Sequence, residues 1–168
     1  MLDENYTYIL SLDNSHFKDF FKQFSFKDME FNLKDEFHLT IIGNKTGKKI
    51  KDLIIKYPKI KEFIEDKINS FEWNINYIDD FYLIKKLKSD SIEEYQYTII
   101  QIVESKDLIE LFKILNCTFP ELHLDEPFPH VTLYTFNNKK GIGIYSENEF
   151  YNFKQEKITK NQLIKEFF

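Results

Sequence analysis

The sequence predicts an α+β protein with an internally duplicated layout. Three observations carry that reading. Short aromatic and β-branched runs alternate with stretches whose apolar residues recur at helical spacing. The order strand, helix, strand occurs over 5–42 and again over 95–136. The last strand of each half holds a histidine, one apolar residue and a threonine, in "FHLTII" and "PHVTLY". Each half is expected to contribute a sheet, and each sheet one His-x-Thr. The 168 residues suit one domain over 1–168, with lobes at about 1–45 and 91–146 joined by 46–90.

The elements follow in order. Asn5 to Leu12 (NYTYILSL) is aromatic and β-branched, so it predicts a strand. Phe17, Phe20, Phe21 and Phe24 fall at i, i+3, i+4 and i+7 behind Asp13, Asn14 and Ser15, which predicts a capped helix. Phe37–Ile42 is the first motif strand, and Gly43 to Gly47 carries turn chemistry. A helical stripe runs from Lys48 to about Asn69, broken near Tyr57 by Pro58. Phe71–Ile78 and Phe81–Leu87 predict a hairpin, and "KSDSIEE" a polar connector. Tyr95–Val103 is a strong strand, and Ser105 or Asp107 caps a helix to about Asn116. A loop with two prolines leads to the second motif strand, Pro129–Phe136. "NNKKG" predicts a turn, Ile142–Tyr145 a short strand, and Thr159–Phe168 a terminal helix.

Composition narrows the function classes. With 18 Phe and 10 Tyr, and 42% hydrophobic residues, the chain can fill a core and is not of disordered type. Its 23 basic residues are all lysine. No guanidinium fork exists, so a phosphate must be held by Lys, hydroxyls, His or backbone N–H groups. The net charge of −5 disfavours an extended nucleic-acid surface and favours a small or short substrate. The single Cys117 forms no internal disulfide, and its expected role is that of an inert thiol. The opening MLDENYTYIL lacks a signal-peptide pattern and no run is long enough to span a membrane, so a cytoplasmic protein is expected.

The motifs carry the chemistry. On a strand, residues i and i+2 share a face. His38 and Thr40 therefore point together, as do His130 and Thr132, while Leu39, Ile41, Val131 and Leu133 point to the core. Two imidazoles facing one another form an acid–base pair near neutrality, because the free group titrates at about 6.5. One accepts the proton of an attacking oxygen and the other protonates the leaving oxygen. The hydroxyls of Thr40 and Thr132 can donate to phosphate oxygens as charge develops. This scheme needs no metal or other cofactor, and it suits transfer at a phosphodiester. His123 with Asp125, Glu126 and His130 matches no usual metal-ligand spacing.

Phe37-His38-Leu39-Thr40-Ile41 and Pro129-His130-Val131-Thr132-Leu133 resemble the paired apolar-His-x-Thr-apolar motifs of the 2H phosphoesterase superfamily. That superfamily includes RNA 2′,3′-cyclic phosphodiesterases (also called 2′–5′ RNA ligases), plant cyclic phosphodiesterases, and viral enzymes that destroy 2′–5′ oligoadenylates or cyclic oligonucleotide signals. The resemblance implies a bilobal, pseudo-symmetric fold, with two antiparallel sheets flanking a central cleft and helices outside. It implies His38 and His130 as general acid and base, in either order, and Thr40 and Thr132 as phosphate ligands. The implied activity is a metal-independent phosphodiesterase acting on a small nucleotide or a short RNA end. Two alternatives stand beside it: removal of a nucleotide signal, and a nucleotide-binding module without turnover. A monomer away from membranes is expected.

Further candidates follow from position. Tyr134, two residues beyond Thr132, shares its face if the strand stays regular, and is then a base-stacking or phosphate-donating group; the alternative is a core tyrosine. Tyr8 on the first strand is a second cleft candidate, and Gln101 is either cleft-lining or edge-facing. Many relatives carry an added basic residue near the cleft. Lys85, Lys86, Lys139 and Lys140 are the candidates here, against an ordinary solvated charge.

Overall fold

The computed structural model describes residues 1–88, 91–137 and 140–164. Among them the chain is α+β, with eight strands in one antiparallel sheet and five α-helices. The strands are β1 (Tyr8–Ser11), β2 (Gln23–Phe26), β3 (Met29–Leu33), β4 (His38–Ile42), β5 (Asn76–Leu87), β6 (Tyr95–Glu104), β7 (His130–Phe136) and β8 (Lys154–Ile158). The helices are α1 (Asn44–Leu53), α2 (Ile60–Ser70), α3 (Lys106–Thr118), α4 (Glu147–Phe153) and α5 (Lys160–Leu163). No helix among the described residues is long and apolar enough to cross a membrane.

The main path of the sheet runs β1-β4-β7-β6-β5-β8, with β2 and β3 branching from it at β7. The two sheets expected from the duplicated layout are thus joined in one hydrogen-bonded network. β7 is the pivot. On one side it pairs with β6. On the other it meets β4 at Leu39 opposite Val131, then β3 at Leu33 opposite Tyr134. β3 and β4 therefore lie in line along β7, interrupted by the excursion from Lys34 to Phe37. The Lys34 N–H donates to the Leu133 carbonyl at 2.8 Å, which fixes where that excursion starts.

The second half shows the predicted strand–helix–strand order, as β6, α3 and β7. Ser105 caps α3 by accepting from the Leu108 N–H. The first half does not. Only Asn14–Phe17 is helical, as a 3-10 turn, and the chain then forms the β2–β3 hairpin. Lys27 and Asp28 at its tip both have positive φ, the geometry of a two-residue hairpin turn. The Phe17/20/21/24 spacing imitates a helix because 3-10 and strand segments both send a phenylalanine inward. Phe17, Phe20 and Phe31 are buried together in the core.

Other boundaries shift for local reasons. Gly43 is the N-cap of α1, so the predicted Gly43–Gly47 loop is a helix start. The break at Pro58 separates α1 from α2. Residues 71–75 are not strand, and Asp79-Asp80 is no hairpin turn. β5 continues through with a register shift between Tyr77 and Phe81. The segment 46–90, expected as a link, thus supplies a strand between β6 and β8. Ile142–Tyr145 is not strand, and α4 and β8 follow it.

Apolar burial divides the layers. α1, α2 and α3 place Ile50, Ile60, Ile64, Leu108 and Leu111 in the main core against Leu39, Ile41, Val131 and Leu133. A second cluster of Ile84, Ile100, Ile142, Ile144 and Phe150 is separate from it. Burial of each such side chain contributes about 1.5–3 kcal/mol.

Candidate functional site

Both motif strands alternate as their sequences require. Leu39 and Ile41 are buried, His38 is half-buried and Thr40 is exposed. Val131 and Leu133 are buried, with His130 and Thr132 half-buried. The junction of β4 with β7 combines the two patterns. With Leu39 opposite Val131 in an antiparallel pair, His38 falls on the Thr132 side and Thr40 on the His130 side. The four polar side chains occupy one face, with His38 across from Thr132, Thr40 across from His130, and the two histidines on a diagonal of about 7–8 Å. That span admits one phosphate group held by two hydrogen bonds of about 2.8 Å.

All four line one cavity of about 550 Å³. The size lies within the range of small-molecule sites, about 300–1,000 Å³. One wall is the start of α1, where Gly43 offers no side-chain cap. The first-turn amides and the helix dipole favour an anion there. Ile9, opposite Thr40 on β1, forms part of the rim.

His130 is oriented by its own strand entry. Its Nδ1 lies 2.8 Å from the Phe128 carbonyl oxygen, an acceptor only, so Nδ1 carries the proton and donates. Nε2 is then the atom that exchanges protons with a ligand. The Phe128 ring stacks on Phe150 at 4.4 Å, which holds that carbonyl in place. Asn116 clasps the preceding loop through two 2.8 Å hydrogen bonds with the backbone of Leu124.

Electrostatics shift both imidazoles toward the neutral form. Burial lowers the pKa of His38, the positive charge of Lys34 lowers it further, and Glu36 opposes them. Burial also lowers that of His130; the Phe128 hydrogen bond opposes it and the nearby His38 adds to it. His38 is therefore close enough for its charge to act on His130.

Other candidates fall elsewhere. Tyr134 does not share the Thr132 face. The β6–β7 register shifts between Ile99 and Ile100, leaving Leu133 as an extra residue in β7. Leu133 and Tyr134 both turn into the core, where the Tyr134 hydroxyl donates to the Phe21 carbonyl at 2.9 Å. Tyr8 also turns inward and packs against the main core, because Ile9 pairs with Thr40 on the cavity side and Tyr8 alternates to the other face. Gln101 is buried, and its Nε2 donates to the Ile78 carbonyl in the irregular part of β5. Lys85 lies over the Tyr95 ring and Lys86 over the Phe153 ring, and neither lines the cavity. Lys140 does line it, while Lys139 lies outside the described residues.

Several lining residues gave no signal in the sequence. Lys34 reaches the site through the β3–β4 excursion. The run Gly141–Tyr145, which reads as a turn and a strand, lines the cavity with no regular structure. His123 holds a left-handed backbone after a 3-10 turn, and its carbonyl accepts from Lys49. His16 stacks on Tyr77 at 3.7 Å.

Comparison with protein-family models, curated proteins and solved structures finds no match to this chain.

Proposed function

We propose that the protein is a phosphodiesterase of the 2H type, acting on a 2′,3′-cyclic phosphate or a 2′–5′ linked nucleotide. The observation that carries this reading is the quartet His38, Thr40, His130 and Thr132 on one face of the β4–β7 junction, inside one cavity. On this reading the halves around β4 and β7 are the two lobes of a pseudo-symmetric fold. The substrate is small, in keeping with the cavity size and the net charge of −5. The protein works as a cytoplasmic monomer.

For a cyclic phosphate the step is hydrolysis. One imidazole takes a proton from water as its oxygen bonds to phosphorus. The bond from phosphorus to one ribose oxygen breaks, and the other imidazolium gives that oxygen its proton. Each turnover leaves the first histidine protonated and the second neutral, and proton exchange with solvent returns the pair to its starting state. Thr40, Thr132 and the first turn of α1 stabilise the charge that builds on the non-bridging oxygens. The two side chains supply both proton transfers, so the scheme calls on no metal.

The test is turnover of nucleoside 2′,3′-cyclic phosphates and 2′–5′ dinucleotides, in EDTA, by wild type, His38→Ala and His130→Ala. Loss in both variants is the expected result. Full activity in either refutes the paired mechanism. Tight binding without product identifies a binding module instead. Comparing a cyclic oligonucleotide or 2′–5′ oligoadenylate with an RNA end separates signal removal from end processing.

A further inference from the structure

The run Gly141-Ile142-Gly143-Ile144-Tyr145 alternates like a strand while pairing with none. Ile142 and Ile144 are 2% and 5% exposed and sit in the second apolar cluster with Ile100 and Phe150. Gly141, Gly143 and Tyr145 are more exposed, and all five residues border the cavity. Two isoleucine anchors thus hold a strap whose other side is two glycines and a tyrosine.

The glycines are there for space. None has a positive φ, so backbone freedom is not what they supply. A Cβ on Gly141 would come within 2.5 Å of the Thr132 Oγ1. A Cβ on Gly143 would come within 3.1 Å of the Tyr145 hydroxyl oxygen, and one on Gly43 within 2.7 Å of the Tyr145 Cε1. The Tyr145 ring is therefore seated between two glycines, from the strap to the start of α1.

Tyr145 is also fixed from behind. Its N–H donates to the Glu149 carboxylate at 2.9 Å. Lys45 lies 5.9 Å from the ring centroid and 3.6 Å from the same carboxylate. A small hollow bordered by Lys45, Leu124 and Asp125 shares Tyr145, Thr46 and Phe112 with the main cavity.

From this arrangement we infer that Tyr145 is a stacking wall for a nucleobase whose phosphate lies at the histidine quartet, and that Gly143 keeps the slot beside it open. The inference rests on the phosphodiesterase reading for the phosphate position, and adds which wall of the cavity receives the base. A base-free sugar phosphate leaves the Tyr145 side of the cavity unfilled. Aromatic rings accept every base through its π face, so the wall selects for a base and discriminates weakly among bases.

The test is calorimetric binding of adenosine 3′-monophosphate and of 1,4-anhydroribitol 3-phosphate, the same sugar phosphate without a base. Wild type, Tyr145→Leu, Gly143→Val and His38→Ala are compared, with folding checked by circular dichroism. Wild type is expected to bind the nucleotide about tenfold or more tightly than the base-free ligand. Tyr145→Leu and Gly143→Val are expected to remove most of that preference, with the base-free affinity within about twofold of wild type. His38→Ala is expected to weaken both ligands alike. No preference in wild type, or a preference retained in Tyr145→Leu, overturns the stacking wall and leaves the histidine reading standing. Unchanged binding of both ligands in His38→Ala overturns the phosphate position instead, and binding of neither ligand by wild type overturns both.

Discussion

Leu39 faces Val131 across the junction of β4 and β7, and this pair of buried apolar residues sets the positions of the polar residues on either side. Shortening both side chains loosens the junction without touching the imidazoles. Leu39→Ala and Val131→Ala are each expected to destabilise the fold by about 2–4 kcal/mol. Denaturant midpoints measure the loss. Turnover below the unfolding range should fall as well, because the register of the quartet depends on this contact.

Replacing either histidine by alanine removes one proton transfer. A decrease in kcat of about 10²–10⁴-fold is expected for His38→Ala and for His130→Ala, with KM changed far less. The double variant should be little worse than either single one, since the pair acts as a unit. Independent, multiplying losses would contradict shared catalysis.

Lys34→Gln takes away a charge that disfavours protonated His38. The His38 pKa should therefore rise in an NMR titration, with burial still holding it below the ordinary histidine value. The acidic limb of the pH–rate profile should move in the same direction. A fall in that pKa would show that Lys34 does not act on His38 through its charge.

His38, His130 and His16 all have pKa values lowered by burial. The unfolded chain then binds more protons than the folded one as pH falls through their range. Their contribution to stability is complete above about pH 6.5 and is lost as pH falls through the lowered folded-state values. Melting temperature should decline from pH 7 to pH 5, and His38→Gln with His130→Gln should flatten the decline. The slope that remains in the double variant comes from His16, with the lowered carboxyls of Glu121 and Glu94 adding to it toward pH 5.

Tyr134→Phe separates a core tyrosine from a site tyrosine. The lost hydroxyl leaves the Phe21 carbonyl without that donor, at a cost of about 0.5–1.5 kcal/mol. Stability should fall while kcat/KM holds. A selective loss of activity would place the ring back at the ligand.

What the sequence made legible was local. His38, Thr40, His130 and Thr132 were readable because a two-residue period needs only neighbours along one strand. Ser105 and Pro58 marked a helix start and a helix break by the same kind of short-range chemistry. Features that depend on pairing were not readable. The register shift at Leu133, which sends Tyr134 inward, is fixed by β6, and the pairing of Ile9 with Thr40 decides the side of Tyr8. Lys34 and Tyr145 reach the cavity through a chain excursion and a strap, neither of which leaves a periodic trace. β8, in "KQEKI", is a polar strand at the end of the sheet path, and its alternation was too weak to stand out.

The extra residue in β7 changes the parity of the strand. Before it, even-numbered residues face the ligand; after it, Tyr134 and Phe136 belong to the core. A single strand thereby serves two tasks that normally need two. Its first half presents chemistry, and its second half fastens the polypeptide near Phe21 and Leu163 through one phenol. Were the strand regular with every residue kept, the parity would not change, and a hydroxyl meant for the interior would enter the ligand's space.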